Sequence, residues 1–143
     1  MQHMLLPVDG SACTDLAIKQ ALDFAQVYGS KVTLLNVYDI TYFTNSADFG
    51  TIPWNQEITE AMIKRSNNIL MEAKAKFTGM EDLVDTVSLE GNPANVIIDY
   101  VGKHDDIDLV IMGSFGMSGI RRFLLGSTTH KVAVAIEKPI LII

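Results

Sequence analysis

A chain of 143 residues lies near the modal size of one domain, and 48% hydrophobic with 20% charged residues is ordinary globular usage, which excludes a disordered or low-complexity chain. Eleven Lys and Arg against seventeen Asp and Glu give a net charge of −6, a balance that disfavours nucleic acid and anionic membranes as partners. No apolar run reaches the roughly 18 residues of a membrane span, no secretory leader pattern opens the chain, and one cysteine, Cys13, suits a reducing compartment. The expectation is one soluble, cytoplasmic domain over residues 1–143.

Met4 to Val8 is a short apolar run closed by Asp9-Gly10-Ser11, a turn ending in a helix N-cap, so a strand feeds a helix. Ala17, Ala21, Phe24, Ala25 and Tyr28 follow at helical spacing, and Gly29-Ser30 ends the pattern. Val32 to Tyr38 is β-branched and aromatic, as a buried strand would be. Asp39 to Gln56 shows neither period and reads as a long loop. Its Phe49, Ile52 and Trp54 suit a lid over a ligand or, alternatively, permanent packing on the next helix or a neighbouring subunit.

Ile58, Met62, Ile69, Ala73 and Phe77 mark a second helix stopped at Gly79, and Leu83 to Leu89 a third strand. Gly91-Asn92-Pro93 supplies a turn, an N-cap and a proline at the first position of a third helix, whose stripe is Ala94, Ile97, Ile98 and Val101. Ile107 to Met112 is a fourth strand, Ser127 to Glu137 a fourth helix and Pro139 to Ile143 a fifth strand. Strict alternation of strands and helices predicts an α/β fold: an open, doubly wound, five-stranded parallel sheet with helices on both faces, in the order 3-2-1-4-5. Ligands of such sheets bind outside the carboxyl ends of the strands, where the order reverses. That rule points to the segments after the first, second and fourth strands.

After the fourth strand come Gly113 and Gly116, then nine residues, then Gly126-Ser127-Thr128 at the start of the last helix. Glycines let a backbone approach a ligand closely, and the free N–H groups of a helix N-terminus attract phosphate. Alternatively, the glycines shape a connection and Ser127 caps a helix. Asp9 is equally two-sided: its carboxylate accepts a hydrogen bond from a ligand donor, or it serves the turn into the first helix. Ile120, Phe123 and Leu124 read as packing, Arg121 and Arg122 as solvated, and His3, His104 and His130 have no metal-ligand spacing.

The chain resembles the universal stress proteins, specifically their ATP-binding branch, whose G-x2-G-x9-G-[ST] pattern is met by Gly113, Gly116, Gly126 and Ser127. The likeness extends over Pro7-Val8-Asp9-Gly10-Ser11, Val37, Gly91-Asn92-Pro93-Ala94 and Asp108 to Gly113. It implies that Pro7, Val8, Asp9 and Val37 line an adenine pocket, that Met112 and Gly113 face the ribose, and that Gly116, Gly126, Ser127 and Thr128 hold the phosphates of ATP, with Mg²⁺ or Mn²⁺ on them. Phe115 departs from the pattern, because many members carry His or another polar residue there.

No Walker loop, dinucleotide fingerprint, nucleophile elbow or HExxH motif occurs, and no catalytic or protein-borne metal residue is assigned. The leading expectation is an ATP-binding regulatory or stress-response protein without fast catalysis. A slow ATPase or nucleotide-dependent enzyme, and an interaction module of this fold that binds no nucleotide, stand as alternatives. The wholly apolar Pro139 to Ile143 edge predicts a homodimer through the last strand, as the resemblance also implies.

Overall fold

The computed structural model describes residues 1–40, 56–115 and 125–143. The lid expectation rests on 41–55, and Gly116, Arg121 and Arg122 belong to 116–124, so these lie outside the described residues. The elements run β1 (His3–Pro7), α1 (Ala12–Tyr28), β2 (Lys31–Tyr38), α2 (Gln56–Lys74), a 3₁₀ turn (Glu81–Leu83), β3 (Val84–Glu90), α3 (Pro93–Lys103), β4 (Leu109–Met112), α4 (Ser127–Ala135) and β5 (Ile140–Ile142). All strand pairs are parallel and the order is β3-β2-β1-β4-β5, as the sequence predicts.

Alternation along the central strands sorts the apolar residues into two cores. Met4, Leu6 and Val8 of β1 and its extension, with Val32, Leu34 and Ile111, pack against α1 and α2 through Ala17, Ala21, Ala25, Leu70 and Phe77. Leu5, Leu35, Val110 and Met112 face the other way, onto Ala94, Ile97 and Val101 of α3 and Val132 of α4. Small alanines let α1 lie close to β1, whereas α2 meets the sheet along Ser66, Leu70 and Ala73, and Phe77 continues that stripe from the turn after the helix.

That stripe keeps the predicted Ala73 and Phe77 and adds Leu70, while Ile69 is partly buried at its flank with its side chain over Gly10. Tyr28, at the end of the α1 helical spacing, is 59% exposed and meets Phe24 edge-on at 6.2 Å. It sits in the final turn, where Gly29 at φ 63° closes the helix through its N–H to the Ala25 carbonyl.

The order reverses between β1 and β4, which opens a crevice at their carboxyl ends. At the opposite edge Asp108 Oδ2 accepts hydrogen bonds from the Gln2 and His3 N–H groups at 2.5 and 3.0 Å, while His3 bridges Asp106 and Thr33 at 2.8 Å each. The two N–H bonds hold the Asp108 carboxyl below the usual carboxylate range, and the His3 hydrogen bond does so for Asp106. A depressed folded-state pKa gives stability that is present above the unfolded value and lost as pH falls through the folded one. Asp108→Asn is therefore expected to lower stability at neutral pH and to flatten the acid limb below about pH 4, read by urea unfolding across pH.

Candidate functional site

The crevice holds a cavity of about 170 Å³ at the carboxyl ends of β1, β2 and β4. One side is built by Pro7, Val8, Leu35 and Val37 from the β1 and β2 ends, with Pro93 and Ile97 of α3 closing it from below. The other side is Met112, Gly113 and Phe115 beyond β4, and Gly126 to Thr129 at the start of α4. Asp9 and Thr14 complete the lining between β1 and α1.

The structure thus brings together Pro7, Val8, Asp9, Val37, Met112, Gly113, Gly126, Ser127 and Thr128 from the sequence-predicted set. Sequence reasoning missed Thr14, Leu35, Ile97 and Thr129 as lining residues. Thr14 and Thr129 sit one helical turn inside their helices, and spacing from the N-cap is the signal that places both at the mouth of the sheet.

Val8 is fixed from both sides: its N–H donates to the Leu35 carbonyl at 2.8 Å, and its carbonyl accepts from Asn36 Nδ2 at 2.6 Å. Asn36 is buried, so this amide is the polar clamp between the ends of β1 and β2. Asp9 then turns the chain into α1. Its Oδ1 accepts from the Ser11 N–H at 2.9 Å and from Thr14 Oγ1 at 2.6 Å, and Ser11 Oγ caps the helix at the Thr14 N–H. The turn role foreseen for Asp9 is therefore present, and Asp9 is a lining residue of the cavity as well.

Three helices begin beside the cavity, and they begin differently. Ser11 caps α1 and Asn92 caps α3, each through its side chain, with Pro93 at the first position of α3. For α4 the N-cap is Gly126, which offers no side chain, so among the described residues no side-chain hydrogen bond caps that helix. Ser127, the helix cap of the alternative expectation, instead stands at the first helical position, exposed. The Gly126 carbonyl accepts from the His130 N–H at 2.8 Å and its own N–H binds the Ser114 carbonyl at 2.8 Å, which anchors the uncapped turn to the end of β4. Thr129 Oγ1 adds a bond to the Gly113 carbonyl at 2.8 Å.

Such an end presents backbone N–H donors, helix-dipole positive potential and the hydroxyl residues Ser127 and Thr128 to an anion, while the Thr129 proton is given to Gly113. The β1 and β2 side presents apolar surface to a flat, uncharged group. Among the described residues no group of three or more His, Cys, Asp or Glu forms a metal cluster, and no helix is long and apolar enough to cross a membrane.

A Cβ built on Gly113 would lie 2.9 Å from Cys13 Cβ and 3.1 Å from the Cys13 carbonyl carbon. The first turn of α1 therefore requires glycine here irrespective of any ligand, and Cys13 is a packing residue of that contact.

The family model described as "Universal stress protein family" matches residues 1–143. The universal stress protein YxiE of Bacillus subtilis is 29% identical over 144 aligned positions, covering 98% of this chain and 97% of its own. The solved universal stress protein UspA from Lactobacillus plantarum superposes with a TM-score of 0.82 at 26% identity, covering 99% of this chain and 97% of that one. More distant solved relatives share the fold. One is a universal stress protein in complex with cAMP (22% identity, TM-score 0.71, 99% and 96% coverage), and another is the Archaeoglobus fulgidus protein in complex with dAMP (18%, 0.68, 99% and 97%).

Replacing Gly113 with Ala is expected to destabilise the fold by about 1–3 kcal/mol, because backbone of α1 as well as a side chain stands in the way. Adding Cys13→Ala should not restore stability, since a Cβ and the carbonyl remain. Urea midpoints of the three proteins give the comparison.

Proposed function

This chain belongs to the universal stress protein family, and we propose that it is an adenine-nucleotide-binding member whose ligand is ATP, carried with Mg²⁺ or Mn²⁺ on its phosphates. The observation that supports this reading best is the uncapped N-terminus of α4, opening with Ser127, Thr128 and Thr129 onto the same cavity as the apolar wall of Val8, Leu35 and Val37. A base and a phosphate chain need these two surfaces side by side. Relatives crystallised with cAMP and dAMP support the adenine end of the assignment.

On this reading Pro7, Val8, Asp9 and Val37 receive the adenine, Met112 and Gly113 the ribose, and Gly126, Ser127 and Thr128, with Gly116, the phosphates. The donors at α4 are hydroxyls and backbone N–H groups, which suit phosphate oxygens, so the divalent cation arrives with the nucleotide. Among the described residues that line the cavity the one acidic residue is Asp9, whose Oδ1 is engaged by Ser11 and Thr14 in ordering the turn into α1. The role is therefore regulatory, in a cytoplasmic stress response, with hydrolysis slow or absent. A homodimer forms through β5, which pairs with β4 on one side and ends the sheet on the other.

Calorimetry with Mg²⁺-ATP is expected to show binding. Gly126→Val should abolish it, because a branched side chain would stand where the backbone meets the phosphates, and Ser127→Ala should cost about 2 kcal/mol, the worth of one hydroxyl bond to a charged group. No ATP binding by the parent, or full binding by Gly126→Val, defeats the assignment. Turnover above about 1 s⁻¹ would put the protein among ordinary enzymes instead.

The dimer is checked separately by sedimentation: a monomer at micromolar concentration, unchanged by charged substitutions at Ile140 and Ile142, would remove β5 as the interface.

A further inference from the structure

Thr14 is buried at 5% exposure, yet it lines the cavity, and its hydroxyl is fully committed. A threonine hydroxyl has one proton to give and two lone pairs to fill. Here the proton goes to Asp9 Oδ1 at 2.6 Å. Because that proton is spent, the 3.3 Å contact between Ser11 Oγ and Thr14 Oγ1 must have Ser11 as donor, and the Asp9 N–H approaches the same oxygen at 3.4 Å. Nothing is left for a ligand.

We infer that Thr14 is a positioning residue for nucleoside binding, acting through Asp9 and making no hydrogen bond to the ligand itself. This rests on the nucleotide reading above. The Ser11 N–H at 2.9 Å and the Thr14 hydroxyl reach Oδ1 from the α1 side, so the carboxylate is held in one orientation at the cavity wall before any ligand arrives. An ionised carboxylate only accepts hydrogen bonds, so the ligand group it recognises is an N–H or O–H donor, as on an adenine amine or a ribose hydroxyl. Without the Thr14 hydroxyl the Asp9 side chain gains rotamers that face away from the site, and binding must freeze them out. Burial of Thr14 makes the loss of its hydroxyl felt by Asp9 more than by solvent.

The test is calorimetry with Mg²⁺-ATP on the parent, Thr14→Val, Thr14→Ser and Thr14→Ala, each also in an Asp9→Ala background. Thr14→Val is expected to weaken binding about tenfold, the scale of one hydrogen bond to a charged group. Thr14→Ser should return it to within about twofold of the parent, and Thr14→Val should have no effect on whatever binding Asp9→Ala retains. Thr14→Ala serves in place of Thr14→Val if the valine disturbs α1. Parent-like binding by both Val and Ala variants overturns the inference while leaving the nucleotide reading intact. An equal loss in the Asp9→Ala background also overturns it, since Thr14 would then act on the fold at large. If the parent binds no adenine nucleotide, the nucleotide reading falls and this inference with it.

Discussion

The contact between Gly113 and Cys13 is the constraint on which the site depends. A parallel sheet whose order reverses between β1 and β4 leaves the strand ends on either side of a crevice, and something must set its depth. Here the first turn of α1 lies against the residue after β4 so closely that a Cβ would fall 2.9 Å from Cys13 Cβ. Any larger residue would push α1 away from β4, and with it Asp9 and Thr14, which enter α1 from the β1 side. The floor of the cavity is thus fixed by backbone packing and not by the polar groups that line it. Thr129 reinforces the arrangement from the opposite face through its hydrogen bond to the Gly113 carbonyl.

Polar satisfaction then separates the three helix ends that meet around that floor. Four N–H groups at each helix start need partners, and side-chain caps supply some of them for α1 and α3. Gly126 supplies none for α4. A helix end that is anchored through a backbone bond to Ser114, and whose N-cap residue has no side chain, presents its first-turn donors without a cap from Gly126 itself. Local stability is lower there than a Ser or Asp cap would give, and P-loop-like phosphate sites show the same exchange of capping for binding.

How much of this was legible in the sequence follows from the same physics. The five strands and their order were readable because each is short, apolar and followed by turn residues, and because alternation with helices leaves few topologies. Ser11, Gly29, Asn92 and Pro93 were readable as caps because capping is local. Helix faces were harder: Ala73 and Phe77 are buried as the period suggests, but Leu70 is buried more fully than the adjacent Ile69, since two neighbouring aliphatic residues fit the period equally and only the sheet decides between them. The gathering of nine predicted site residues on one cavity follows from topology, whereas the saturated hydroxyl of Thr14, the Asn36 clamp and the steric reason for Gly113 depend on distances between segments far apart in sequence.

Gly113 also shows why a motif and a mechanism differ. A pattern of glycines suggests close approach by a ligand, but the first of them is required by the chain's own α1, and its contact would persist with an empty cavity. Asp9 carries the opposite duality, because one carboxylate orders the α1 turn and faces the cavity. A substitution at either residue therefore mixes fold and site effects, and neither can assign the site alone. Ser127 is exposed at the first position of α4 and forms no cap, so its side chain can be removed with little consequence for packing. Thr14 touches Asp9 through one defined proton and can be varied while that proton is kept, as in serine, or lost, as in valine. Those two positions separate what the fold needs from what a ligand needs, because the Thr14 hydroxyl gives its one proton to Asp9 and the Ser127 side chain caps no helix.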